Sequence, residues 1–517
     1  MAVSLLCASP EVLRAIVLHA VHAAPRAGPP REWYSLVLCC RALRRALDTP
    51  AMHALLFAQK FHVPVDACRL LHAHAKPEMA RRFAALKTFR RGARCFDDTA
   101  GFTDALWVAY VMLRAEEPRQ MSVGHLLWAG LPELLLLFLR RRLNHGAEEN
   151  NGWPLCNETN SLVIALMWLL SSESSVRDET AATRDEVMER IRPFVLAAFR
   201  YPLSSAQEWC FGSDLPPNSK IISLLPSTPP SREVIYFGPK SVEVPSAPIY
   251  SILCYFTRLD TLVPVFPEHL SSAAPPLAGP RAEDVEHFIR ECRTRFEPWD
   301  FAAEHAIPDC PRAIRQVYVP GALTGRWQGS AIVPYINEYQ HWLDDPEAPE
   351  TMDTFCRHPL YITLQEHFCY QPTKSPDSTA HHDGSDSAKQ MDAWLAASWT
   401  ERDGGVEVSD CSNTTRFYET GLRPRINPSL PVDVIVTGKT DDPYANAWGA
   451  FKVFGRVRLS DGFIVLRRES VAGLGTTLLR GYLSSSQNFA GRYRAIDTGF
   501  GVAADWEAAF SLCRMEN

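Results

Sequence analysis

Hydrophobic positions recur with two different periods along this chain. From Pro10 to about Tyr201 they fall three and four residues apart, as on one face of a helix. Leu13, Ile16, Val17, Ala20 and Val21 trace the first stripe, and Ser9-Pro10-Glu11 supplies an N-cap, a proline for the first turn and an acid beside it. The Pro- and Gly-rich stretch Ala24 to Pro30 should break the chain before a second helix carrying Leu36, Cys39, Cys40, Leu43 and Leu47. Further helices are predicted at 51–61, 65–75, 77–89, 103–114, 123–144, 161–170 and 184–200, an irregular α-solenoid without a fixed repeat period.

Between Pro202 and Pro280 prolines punctuate short apolar pieces such as Val234 to Phe237 and Ile249 to Phe256, which read as a connecting region with some strand content. Arg281 to Phe296 reads as one amphipathic helix with Val285, Phe288, Ile289 and Cys292 on a face. From Gln316 onward the pattern turns to alternation. Strands are predicted at 325–335, 359–370, 416–420, 433–439, 448–458, 463–469, 476–484 and 489–496, with Ser460-Asp461-Gly462 as a hairpin turn and Trp506 to Cys513 as a terminal helix. Eight short strands must close or pack face to face to protect their edges, which favours an antiparallel barrel. The polar segment 373–389 reads as a surface loop. The expected class is α+β and multidomain: a helical hairpin over 1–62, a solenoid-like region over 63–201, a Pro-rich connection over 202–310 with its helix at 281–296, and a β-barrel over 311–517.

Composition narrows the function classes. With 53 Lys and Arg against 59 Asp and Glu, the net charge of -6 gives no attraction for nucleic acid or an anionic membrane surface. The apolar runs Leu134 to Leu139 and Leu162 to Leu170 are shorter than the roughly 20 residues of a membrane span. The 14 cysteines include no C-x-x-C pair, which points to neither a zinc module nor a disulfide framework and fits reduced cytosol or nucleus. His381-His382-Asp383 lies in the polar loop without any metal-binding spacing around it. No G-x-S-x-G, Walker A or G-x-G-x-x-G is present, so no catalytic residue, metal or cofactor is expected and the chain reads as non-enzymatic.

Two resemblances supply a function. Ser9-Pro10-Glu11-Val12-Leu13 with Ile16, then Leu36-Val37-Leu38-Cys39-Cys40-Arg41-Ala42-Leu43-Arg44, then Pro50 and Leu55-Leu56-Phe57, resembles the F-box over about the first sixty residues. It departs from that family at Ala8-Ser9, in the longer 24–31 connection and at Leu43, where an aromatic is common; the alternative is the first hairpin of an ordinary solenoid. The resemblance implies a Skp-type adaptor of a cullin ligase as partner, with Pro10, Val12, Leu13, Ile16, Leu36 and Leu43 as the docking residues. Gly325-Arg326-Trp327 resembles the opening of lipocalin-like barrels, in which the tryptophan closes the floor; the alternative is a plain core residue. The Gly438, Gly449-Ala450-Phe451, Gly455-Arg456-Val457, Leu479-Arg480-Gly481-Tyr482 and Gly491-Arg492-Tyr493-Arg494 segments are similar to barrels carried by fungal F-box-like chains.

Arginines crowd the last strands: Arg456, Arg458, Arg467, Arg468, Arg480, Arg492 and Arg494. Alternation puts Arg456 with Arg458, and Arg492 with Arg494, on common faces. Facing inward, Arg456, Arg458, Arg480, Arg492 and Arg494 with Trp327 and Trp448 would form a cationic mouth for an acidic peptide or carboxylate; facing outward, they are solvated surface. The combined expectation is a substrate-recognition subunit of a cullin-RING ubiquitin ligase whose barrel holds an unknown target, with a small-molecule carrier or sensor as the alternative.

Overall fold

The computed structural model describes residues 8–23, 27–61, 74–114, 119–203, 231–235, 239–264, 266, 280–296, 318–345, 347–353, 355–370, 398–409, 415–422, 431–459, 462–473, 475–484, 487–497 and 506–515. Part of the helix expected at 65–75, the loop 373–389 and His381-His382-Asp383 lie outside them.

Helices fill the first part: α1 (Pro10–Ala23), α2 (Arg31–Cys39), α3 (Arg41–Leu47), α4 (Pro50–Phe61), α5 (Ala75–Phe89), α6 (Thr99–Arg114), α7 (Arg119–Trp128), α8 (Leu131–Arg141), α9 (Glu158–Leu170), α10 (Glu173–Arg177) and α11 (Ala181–Leu196). The single helix expected over 123–144 is two. Gly130 takes a left-handed φ of 73°, a conformation open to glycine at little cost, and the axes of α7 and α8 differ by 59°. Asn157 caps α9 by accepting from the Asn160 amide at 2.9 Å. No single helix among the described residues is long and apolar enough to cross a membrane.

The connecting region holds a hairpin of β1 (Ser231–Ile235) and β2 (Pro239–Glu243), then α12 (Ala247–Leu259) and α13 (Ala282–Glu291). The strand content expected at 249–256 is therefore a helix. All thirteen residues of α12 are buried, and a helix that is covered on every side shows no stripe from which its period can be read.

Further along lie β3 (Gly325–Pro334), α14 (Ile336–Asp344), β4 (Phe355–Cys369), β5 (Ser398–Arg402), β6 (Gly405–Ser409), β7 (Thr415–Thr420), β8 (Asp433–Lys439), α15 (Asp442–Trp448), β9 (Phe451–Arg458), β10 (Phe463–Ser470), β11 (Thr476–Ser484), β12 (Asn488–Asp497) and β13 (Glu507–Arg514). Eight of the strands close into an antiparallel up-and-down barrel in the order β3-β4-β8-β9-β10-β11-β12-β13 and back to β3. Strands β5 to β7 form a side sheet that joins the edge of β4 at His367 and Phe368, beyond the end of β3. The helix expected at 506–513 is β13, the strand that completes closure; all but the last of its residues are buried, so neither period showed.

Inside the barrel, Trp327, Ile362, Val436, Leu466, Leu479 and Phe510 belong to one apolar cluster. Gly481 and Gly491 face each other across β11 and β12, where a Cβ on Gly491 would sit 1.9 Å from the Arg480 carbonyl oxygen. The outer wall of β12 and β13 packs on α11 and α12. Ile332, Tyr339, Trp342, Ala490 and Ala509 join the same buried cluster as the helices. The helices and the outer wall of the barrel thus share one buried cluster, while the barrel interior is a second.

Candidate functional site

The N-terminal helices divide the expected docking residues into two sets. Leu13 on α1 and Leu43 on α3 are buried with Val17, Val21, Trp33, Val37 and Leu47, so they are the hairpin's own core and not contact anchors. Leu36 is half-buried and Pro10 exposed. Val12 and Ile16, one helical turn apart, are 50% and 41% exposed, and Leu38 on α2 is 79% exposed with Tyr34 near it in sequence. The hairpin is fixed to the next layer by His125 of α7. The Gly28 amide donates to its Nδ1 at 2.8 Å, which leaves Nε2–H to donate to the Lys60 carbonyl at 3.1 Å. Burial pushes the His125 imidazole down to about 4, so it is neutral at physiological pH.

The arginines do not gather at a mouth. Arg480 and Arg492 are cross-strand partners whose side chains leave the barrel wall outward, into the seam with the helices. Arg480 is ion-paired with the buried Glu507. Arg492 donates Nη2 to the carbonyls of Phe194 and Tyr201, both at 2.8 Å, and Nη1 to that of Val195. The Phe194 and Val195 carbonyls end α11 and that of Tyr201 follows five residues beyond it, so the guanidinium caps a helix C-terminus and meets its negative dipole end. Arg494 lies opposite Glu507 on that face. Arg456 is also outside, 2.7 Å from Asp433, whose other oxygen accepts from Tyr418 of the side sheet at 2.7 Å. Arg458 lies 5.0 Å from the centre of the outward Phe463 ring. The cationic mouth expected of these five is absent because strand alternation turns all five outward, where Glu507 of β13, Asp433 of β8 and the end of α11 receive Arg480, Arg456 and Arg492.

Trp327 sits where the floor was expected. It is buried in the interior cluster and donates Nε1 to the Leu323 carbonyl at 2.8 Å. Glu366, fully buried on the inner face of β4, holds the same end shut. It accepts from Tyr318 Oη at 2.5 Å and from the amides of Gly321, Leu323 and Thr324 at 2.9, 2.8 and 2.8 Å. Trp448 lies outside the barrel, with its ring stacked on Phe266 at 5.8 Å.

No family model, curated protein or solved structure matches this chain.

One inward arginine escaped the expected set. Arg468 shares the face of Ile464 and Leu466 on β10 and lies opposite Val453 of β9 and Thr477 of β11, at the barrel end away from Trp327. Its guanidinium carbon is 3.2 Å from the centre of the Phe451 ring, and Tyr493 is its hydrogen-bonding partner. Alternation from Leu466 was the signal available, since the period that makes Leu466 core makes Arg468 core too. Among the described residues no group of three His, Cys, Asp or Glu side chains is placed to hold a metal. A cleft of about 540 Å³ between the 144–154 connection, α11 and residues 348–353 carries both signs of charge, with Arg192 paired to Asp353.

Proposed function

We propose that the protein is a non-enzymatic substrate receptor of a cullin-type ubiquitin ligase, working in cytosol or nucleus, with the N-terminal hairpin as its dock for a Skp-type adaptor. The observation that carries this reading is the split of the hairpin's apolar residues. Leu13, Val17, Val21 and Val37 fill its core, yet Val12, Ile16, Tyr34 and Leu38 remain outside. A hairpin with more apolar residues than it buries presents a surface suited to a helical partner. The barrel and its side sheet then serve as the platform for an unknown protein target. The receptor does no chemistry; it raises the target's local concentration beside the ubiquitin-loaded partner. The test is capture of the full-length chain on immobilised adaptor, compared with the double variant Val12→Asp, Ile16→Asp. Adaptor binding is expected for the wild type and not for the variant. Equal capture, or none by either, removes this reading.

The barrel also supports a second reading. Its up-and-down order, opened by Gly325-Arg326-Trp327 with the tryptophan at the floor, fits a lipocalin-like barrel and hence a small-molecule carrier or sensor. Failure of adaptor capture together with ligand binding in the barrel would favour it.

A further inference from the structure

Six arginines among the described residues are buried: Arg82, Arg258, Arg357, Arg468, Arg480 and Arg492. Arg82 has Glu78, Arg258 has Glu179, Arg357 has Asp260, Arg480 has Glu507, and Arg492 has three carbonyl oxygens. Arg468 is the exception. Its partners are a phenyl face and a phenol, neither of which carries negative charge, and its Nε–H has no acceptor. The Nε groups of Arg480 and Arg492 also lack one, but their other nitrogens meet an anion or carbonyls. Desolvating a guanidinium is costly unless an anion or several carbonyl oxygens answer it; four of these sites have a carboxylate and Arg492 has three carbonyls.

We propose that Arg468 is the anchor of a binding site at the barrel end opposite Trp327, for an organic monocarboxylate with a flat apolar body. One guanidinium matches one carboxylate in charge and in the two-pronged geometry of its N–H groups. Tyr493 offers a hydroxyl beside it, and Phe451 and Val453 offer apolar contact for the body of such a ligand. Below lies the apolar interior cluster, where charge attraction is screened less than in water. This end of the barrel is remote in sequence from α1 and α2, and the site does not depend on adaptor docking.

The experiment is thermal unfolding of the full-length protein with benzoate, with its neutral isostere benzamide and with inorganic phosphate, all at matched ionic strength. It is run on the wild type, Arg468→Met and Arg468→Lys. Benzoate is expected to raise the wild-type Tm saturably, while benzamide and phosphate do not. Arg468→Lys should bind benzoate about tenfold more weakly or worse, because the charge stays and the fork is lost. Arg468→Met should lose the benzoate effect and be at least as stable as the unliganded wild type, because it removes a charge that no acidic group among the described residues balances. The proposal is overturned if benzoate leaves the wild type unchanged, if benzamide or phosphate acts as strongly, or if Arg468→Met responds like the wild type. It is equally overturned if Arg468→Met is markedly less stable, since Arg468 would then be a structural plug.

Discussion

The inner and outer faces of the barrel wall obey opposite rules. Inside, Trp327, Leu479 and Phe510 meet other apolar groups, and Arg468 alone among the buried arginines of the described residues lacks an anion or carbonyl. Outside, along β4, β12 and β13, polar pairs that are dry stand among apolar contacts such as Ala490 and Ala509. Arg357 meets Asp260 and donates to Ser330 Oγ at 2.8 Å, Arg480 meets Glu507, and the Ser511 and Thr294 hydroxyls lie 3.3 Å apart. Alternation along a strand therefore tells which face is polar without telling which face is wet. Here the polar face is the seam between barrel and helices.

The strongest way to break that contrast is to take the helices away. A fragment of residues 311–517 would uncover Ile332, Ala490 and Ala509 together with Arg492 and the Arg480–Glu507 pair. It is expected to show no cooperative thermal transition and to bind a hydrophobic dye; a sharp transition in that fragment would mean that the wall carries its own core.

Next come substitutions on the two faces. Arg480→Met strands the Glu507 carboxylate and should cost about 3 to 5 kcal/mol by chemical denaturation, while adding Glu507→Leu should restore most of the loss. Trp327→Ala should cost about 3 to 5 kcal/mol on the inner face, without a second change that repairs it. A loss below about 1 kcal/mol at Trp327 would contradict its burial.

Acid sharpens the comparison differently. His125 among the helices and His367 on the outer face of β4 are both pushed by burial to about 4, from 6.5. His367 lies 2.8 Å from the Thr420 and Thr437 hydroxyls. Between those values the unfolded chain binds the protons that the folded chain refuses. Stability contributed by keeping these rings neutral is full above about pH 6.5 and is lost as pH falls toward 4, by about 3 kcal/mol at most for each ring. Urea midpoints from pH 7.5 to 4.5 should fall for the wild type and less for His125→Gln; an identical fall would exclude His125 as a source. Smallest of all, Val12→Asp with Ile16→Asp should alter stability by about 0.5 kcal/mol or less, because both side chains already face water.

The same contrast explains what could be read from the residues. The first helix, the β9–β10 pairing and most barrel strands were legible because one flank of each differs in polarity from the other, while the Ser460-Asp461 part of the expected turn lies outside the described residues. α12 and β13 were not, since nearly every residue in them is covered. The side strands β5 and β6 were missed for lack of a strong apolar run, although Val406 and Val408 alternate correctly. At the hairpin, position alone could not tell Val12 from Leu13 as surface and core. For the arginines, alternation grouped Arg492 with Arg494 but could not supply the helix end that receives Arg492.

That helix end has a consequence for how the chain reaches its native state. Arg492 and the Val195 carbonyl it binds are 297 residues apart, and β3 cannot find its second neighbour until β13 exists. A polypeptide made from its N-terminal side presents α11 and α12 long before the strands that cover them. Closing so long a loop is slow, and the waiting helices expose the very apolar surface that later becomes core. Productive folding is thus expected to be late and nearly all at once, with a strong need for chaperones during synthesis. Spontaneous refolding from denaturant should correspondingly be poor at high protein concentration and improve on dilution.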